Sequence, residues 1–266
     1  MDSVNGIAYY GDDKLLLSSI KYLTVIDFRG KVLDRVRLNS TNSDLQGFDF
    51  SVGRLEVSRS SGLQFDPISR EVLLGAVKRE GNGQLKKYVA SISVPEKRVR
   101  LIKLPDFISK NEGESFGNLN GFCFRRLGDE LIVNPGYASE LVLIGGGTSR
   151  FFINSSITPN KAQVYLRQSG EYSSIMSHKM KSVEFYPVFS SYDGSVFFRI
   201  HKGPINEKLQ REPFYLMVTD RKFNKLLEIP FPENYYISPI ISKEGLMFMA
   251  FNKHDDKLEL IRYRFK

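Results

Sequence analysis

One form recurs along the chain and limits what it can fold into: a short apolar run, a polar turn, then a second apolar run. It appears at Gly6 to Leu17, Gly62 to Leu74, Gly121 to Val133, Pro187 to Phe198 and Pro239 to Met249. Runs of roughly five to eight residues bounded by Gly, Asp, Asn and Pro clusters are strand-and-turn punctuation. Helical periodicity is scarce, with no capped apolar stripe sustained over three turns. The chain therefore reads as all-β.

A second pair of strand-like runs follows each of the first four hairpins. These are Tyr22 to Asp27 with Lys31 to Leu38, Leu85 to Val94 with Arg98 to Leu104, Leu141 to Ile144 with Ser149 to Ile153, and Phe214 to Thr219 with Lys225 to Ile229. Four antiparallel strands per unit of about 40–50 residues is the signature of propeller blades. A β-sandwich is the alternative, but its strands need not recur in this phase. The expectation is a β-propeller with five recognisable four-stranded blade-like repeats. It forms a single domain over 1–266, with units near 4–38, 61–105, 120–154, 184–231 and 236–266. The fifth unit runs out after Asp256 to Phe265, one strand short.

Composition supports a sizeable core, at 41% hydrophobic and 12% aromatic residues, and the scattered Gly and Pro set no linker apart. The single Cys123 excludes an intramolecular disulfide, and its apolar surroundings predict a buried, inert thiol. The net charge of +8 permits attraction to polyanions. The aromatics, however, form no stacking platform and no recognition helix appears, so nucleic acid is not the expected partner. The densest basic run, Leu85 to Lys103, alternates charged and apolar residues and reads as the solvated face of a half-exposed hairpin. No apolar stretch approaches the ~18 residues needed to span a bilayer. Nor does Met1 to Ala8 carry a basic region followed by an apolar one, so the chain as given reads as soluble.

The serial hairpins, the turn Phe65 to Pro67 and the run Tyr235 to Leu246 resemble an uncharacterised family of Bacteroidetes β-propeller proteins. That resemblance implies a six- or seven-bladed propeller, export to the cell envelope and a lipid anchor behind a lipoprotein signal. This sequence shows neither the signal nor length for six full blades, which fits a propeller trimmed at its N-terminus. The family brings no catalytic residues to transfer.

In a propeller, residues just before the first strand of a blade and just after the second share one rim, which places a site without naming its chemistry. The fourth unit concentrates polar groups there: Glu184 and Tyr186 before its first strand, Arg199 and His201 at the end of its second. At the position of Arg199 the other units carry Ser18, Gly75, Asn134 and Ala250. Two readings stand. Either Arg199 pairs with Glu184 or a backbone carbonyl and ties down a long loop while His201 is simply solvated, or Arg199 and His201 offer donors to a ligand with Tyr186 as an aromatic face. Asn118, Asn120, Tyr137 and Tyr236 complete the expected ligand-binding rim.

Catalytic patterns are weak. His178, His201 and His254 show no zinc-site spacing. Gly145 to Gly147 sits in a hairpin turn, read as needing positive φ, and not in a phosphate loop. The expected role is non-catalytic binding of a carbohydrate, peptide or protein, without a cofactor. The alternative is a metal-dependent hydrolase like the propeller lactonases, with calcium held by Glu184, Asn118, Asn120 and Asn5.

Overall fold

The computed structural model describes residues 4, 6–19, 21–38, 47–50, 63–66, 69–81, 84–109, 115–166, 172–206, 208, 211–232, 235, 239–243, 245–252 and 256–263. The protein is an all-β propeller fold with five blade-like antiparallel sheets. It divides into two compact units.

The first unit holds two sheets. β1 (Gly6–Gly11), β2 (Lys14–Ser18), β3 (Tyr22–Asp27) and β4 (Val32–Arg37) pair in chain order. The second sheet has β5 (Phe48–Asp49), β6 (Leu63–Asp66), β7 (Glu71–Arg79), β8 (Leu85–Ser93) and β9 (Arg98–Lys103). Here the connection after β4 departs from a plain loop. β8 pairs with β7 along its whole length, and both β5 and β6 pair with β7 as well, so they share its other edge. Leu16, Leu23, Val25 and Val36 of the first sheet pack with Val72, Leu74, Ala90 and Ile92 of the second. The basic run is not uniformly solvated. Arg98 and Arg100 are exposed beside Glu96 and Glu71, but Lys87 on β8 is 2% exposed. Its ammonium donates to the Ile108 carbonyl of α1 (Asp106–Ser109) at 3.1 Å and to the Asn120 carbonyl at 2.6 Å.

The second unit holds three sheets. The first comprises β10 (Phe122–Leu127), β11 (Glu130–Pro135), β12 (Glu140–Ile144) and β13 (Thr148–Phe152), and the next β14 (Glu184–Ser190), β15 (Val196–Lys202), β16 (Phe214–Asp220) and β17 (Lys225–Phe231). The last sheet has three strands among the described residues: β18 (Ile240–Ser242), β19 (Gly245–Asn252) and β20 (Lys257–Tyr263). The connection after β13 holds a helix, α2 (Tyr172–Lys181), which the sequence pattern does not announce. Its sequence YSSIMSHKMK has no continuous apolar stripe, and most of its residues are half-buried.

Turn chemistry explains the hairpins. Between β14 and β15, Gly194 takes φ 65°, and the Asp193 carboxylate accepts bonds from the Ser191 hydroxyl and from the amide and hydroxyl of Ser195. Those donors hold the exposed Asp193 carboxyl at about 2. The Gly145 to Gly147 turn works differently from expectation, because none of its three glycines has φ in the left-handed region. Space is the constraint at Gly145, where a Cβ would lie 2.9 Å from Glu130 Cγ, while Gly146 and Gly147 have open space around them.

β15 is buried on both faces. Phe197 packs with Ile132, Leu141 and Ile153 towards the third sheet, while Phe198 and Ile200 pack with Leu246 and Phe248 towards the fifth. A strand covered on both sides normally reads as continuously apolar. Arg199 and His201 break that rule on the face shared with Phe197, since residues two apart point the same way.

Candidate functional site

Glu184 and Tyr186 belong to β14 itself and do not precede it, which puts Glu184 opposite Lys202 and Phe185 opposite His201. The expected grouping therefore splits into a buried layer and a half-exposed cluster.

In the buried layer, Arg199 is 1% exposed and its guanidinium lies 4.5 Å over the Phe185 ring. Nη1 donates to the Ser139 carbonyl at 2.8 Å and Nη2 to the Ala138 carbonyl at 2.9 Å, tying β15 to the chain between β11 and β12. Of the two sequence readings, it is a backbone carbonyl pair, and not Glu184, that Arg199 meets. Burial pushes its pKa down to about 9, with Glu140 among the charges acting in the opposite sense, so it stays cationic at neutral pH. His201 is not solvated but fully buried in a stack, its ring 5.6 Å from Phe185 and 5.3 Å from Tyr215. Burial drives its pKa down to about 4, leaving the ring neutral at pH 7. Its Nε2 lies 3.3 Å from Glu228 Oε1 without hydrogen-bond geometry, so this approach is not an ion pair at neutral pH.

Glu228 on β17 is the anionic counterpart of this layer, although sequence reading passes it over. It accepts bonds from the Ser155 hydroxyl, the Ser156 amide and hydroxyl, and the Lys225 ammonium. Burial pushes its carboxyl up, but the hydrogen bonds outweigh it and hold the pKa at about 2.

The half-exposed cluster gathers where β14 starts, β15 ends and α2 arrives. The Tyr186 hydroxyl donates to Glu184 Oε2 at 3.3 Å, and Lys179 Nζ lies 3.5 Å from the same oxygen. Lys202 donates to the Lys179 carbonyl at 2.8 Å and to Glu212 at 2.6 Å, with Glu184 at 4.0 Å. Burial, followed by the charge of Glu184, raises the Tyr186 phenol well above its ordinary range. Glu184, Lys179 and Glu212 side chains keep 17%, 35% and 32% of their exposure, while Lys202 keeps 1%. Two carboxylates and two ammoniums thus share a site with a phenol. Lys202 adjoins the anomalous Arg199 and His201 in sequence and was within reach of the same reasoning; Lys179 and Glu212 come from the intervening connections, whose course no motif reveals.

The other expected residues are dispersed. Tyr137 is buried and stacked on Phe116, with centroids 4.1 Å apart and planes 6° apart. Asn120 offers its carbonyl to Lys87. Asn118 lies in a 3-10 turn, Gly117–Leu119, and its side chain is outside the described residues, as are Tyr236, Asn5 and His254. Of the calcium set proposed on sequence, Glu184 is the member with a described carboxylate, and it sits between two lysines. Among the described residues no group of three or more His, Cys, Asp and Glu side chains could hold a metal ion. No described helix is long and apolar enough to cross a membrane.

The fold defines the chain as a β-propeller, and a solved structure shares it. A member of the DUF4221 family from Bacteroides vulgatus is similar over 99% of this chain and 80% of its own, with a TM-score of 0.67 at 14% identity. That likeness is one of fold, and it is to a Bacteroides protein, in keeping with the resemblance read from the sequence. A protein of unknown function from Bacteroides caccae matches over 98% of this chain and 78% of its own, with a TM-score of 0.47 and 10% identity. An α-L-arabinanase from Cellvibrio cellulosa, complexed with arabinohexaose, matches over 100% and 93%, with a TM-score of 0.41 and 9% identity. No protein-family model and no curated protein matches the sequence.

Proposed function

We propose that the protein is a non-catalytic binding propeller that takes a carbohydrate, peptide or protein ligand at the end of the fourth sheet where β14 starts and β15 finishes. The half-exposed cluster of Glu184, Lys179, Glu212 and Tyr186 around the buried Lys202 supports this reading. Carboxylates that accept and ammoniums that donate, set side by side with little net charge, match a ligand rich in hydroxyl or amide groups. Arg199, His201 and Glu228 serve this site indirectly, by holding β15 and β17 in place beneath it.

Glycan and peptide arrays probed with the labelled protein and with Glu184→Gln test the proposal. Binding that the wild type shows and the variant loses, at an unchanged melting temperature, is the expected result. Calcium-dependent hydrolysis of lactones by the wild type would instead establish the enzymatic alternative.

A further inference from the structure

A second arginine in the same unit lacks what Arg199 has. Arg125 on β10 lies 4.5 Å over the Phe189 ring of β14, repeating the Arg199 and Phe185 arrangement four residues further along that strand. Arg199 has two carbonyl acceptors; Arg125 makes no hydrogen bond or ion pair among the described residues. Its Nε is shut away from solvent without a partner, whereas the two terminal nitrogens are not. Burial lowers its pKa to about 10, with no neighbouring charge acting on it. A half-buried guanidinium without an acceptor is costly, and proteins seldom leave one so.

We propose that Arg125 is the anchor of a carboxylate-binding subsite, with Phe189 as the plate that fixes the guanidinium plane. The ring covers one face and Nε is closed off, so a ligand meets the terminal edge formed by Nη1 and Nη2. That edge presents two parallel donors, the geometry that a carboxylate satisfies with both oxygens. A single positive charge without a second cation acting on it matches a monoanion better than a phosphate dianion. The carboxylate can belong to an acidic sugar or to a peptide, and the two share the same recognition. The subsite is separate from the Glu184 cluster, since Glu184 and Phe189 stand about 17 Å apart along an extended strand.

Calorimetric titration with galacturonate and with N-acetylglycine tests the subsite, with galactose and inorganic phosphate as controls. One or both carboxylates bind the wild type, and the tighter of the two distinguishes a sugar from a peptide source. Arg125→Met weakens that binding at least tenfold while the melting temperature without probe stays level or rises. Arg125→Lys gives an intermediate loss, and Glu184→Gln leaves the binding unchanged, separating this subsite from the proposed ligand site. The proposal is overturned if neither carboxylate binds, if Arg125→Met binds as well as the wild type, or if phosphate binds more tightly than both.

Discussion

Arg199 and Arg125 are two versions of one arrangement, each with its guanidinium 4.5 Å over a phenylalanine of β14. Arg199 is fully enclosed and spends its terminal nitrogens on the carbonyls of Ala138 and Ser139. Arg125 is half-buried and has the ring but no acceptor among the described residues. The same residue pair therefore does opposite work. Where the backbone supplies acceptors, arginine is a tie between blades; where it does not, the tie is left for something outside the chain. Burial alone does not separate a structural arginine from a ligand-binding one, but the count of acceptors does.

The largest effect that would test this contrast is expected from Arg199→Met. It takes a donor from each of two buried carbonyls, Ser139 keeping only the Ile153 amide at 3.3 Å, and urea unfolding should show a loss of about 3 kcal/mol. A loss under about 1 kcal/mol would mean the carbonyls find water and that Arg199 is no tie. Next comes His201→Phe, which keeps the stack between Phe185 and Tyr215 but removes the titrating group. The folded pKa of His201 is about 4, below its ordinary value of 6.5, so the unfolded chain binds the proton more readily. Stability should be insensitive to this group above pH 6.5 and fall as pH drops from 6.5 towards 4. His201→Phe should flatten that segment of the urea midpoint against pH, recovering about 1–3 kcal/mol at pH 4.

Glu228→Gln should cost somewhat less at neutral pH, about 1–2 kcal/mol, because the amide keeps one acceptor for the Ser155 to Ser156 segment and loses the charge facing Lys225. The Glu228 carboxyl is held at about 2, below its ordinary 4.5, so its contribution is present above pH 4.5 and lost as pH falls towards 2. The variant should therefore lose the steep part of acid unfolding in that window, followed by circular dichroism. Smallest is Arg125→Met, expected to leave stability within about 1 kcal/mol of the wild type, because it removes a charge without orphaning a partner. If it destabilises as much as Arg199→Met, the contrast between the two arginines collapses.

The blade pattern was legible because hairpins carry local chemistry: alternating apolar residues and Asp or Gly turns such as Asp193 and Gly194 need no distant partner to be read. The three strands that the last sheet shows among the described residues were legible for the same reason. Arg199 and His201 also stood out, as charged residues in an apolar run, but what they meet was not. The carbonyls of Ala138 and Ser139 lie sixty residues away in sequence, and a backbone acceptor leaves no mark on residue type. Lys87 was misjudged as solvated because alternation shows which face a residue takes, and nothing in it shows that the chain near Ile108 and Asn120 returns to cover that face. Arg125 carries no mark in the sequence, since an absent acceptor is visible only in three dimensions.

The divided edge of β7 bears on how the first unit assembles. β6 reaches β7 across a short turn, Asp66 meeting Glu71, whereas β5 brings Phe48 to Lys78 across a much longer span. Closing the longer loop costs about 1–2 kcal/mol more in chain entropy, and β5 offers only two paired residues in return. What holds it is the Phe48 ring, set edge-on to Tyr88 at 5.0 Å with the Lys78 ammonium 5.0 Å above it. The two ends of one strand should accordingly exchange their amide hydrogens at different rates, with Val77, whose N–H faces β5, opening by a local unzipping that leaves Leu73, facing β6, closed.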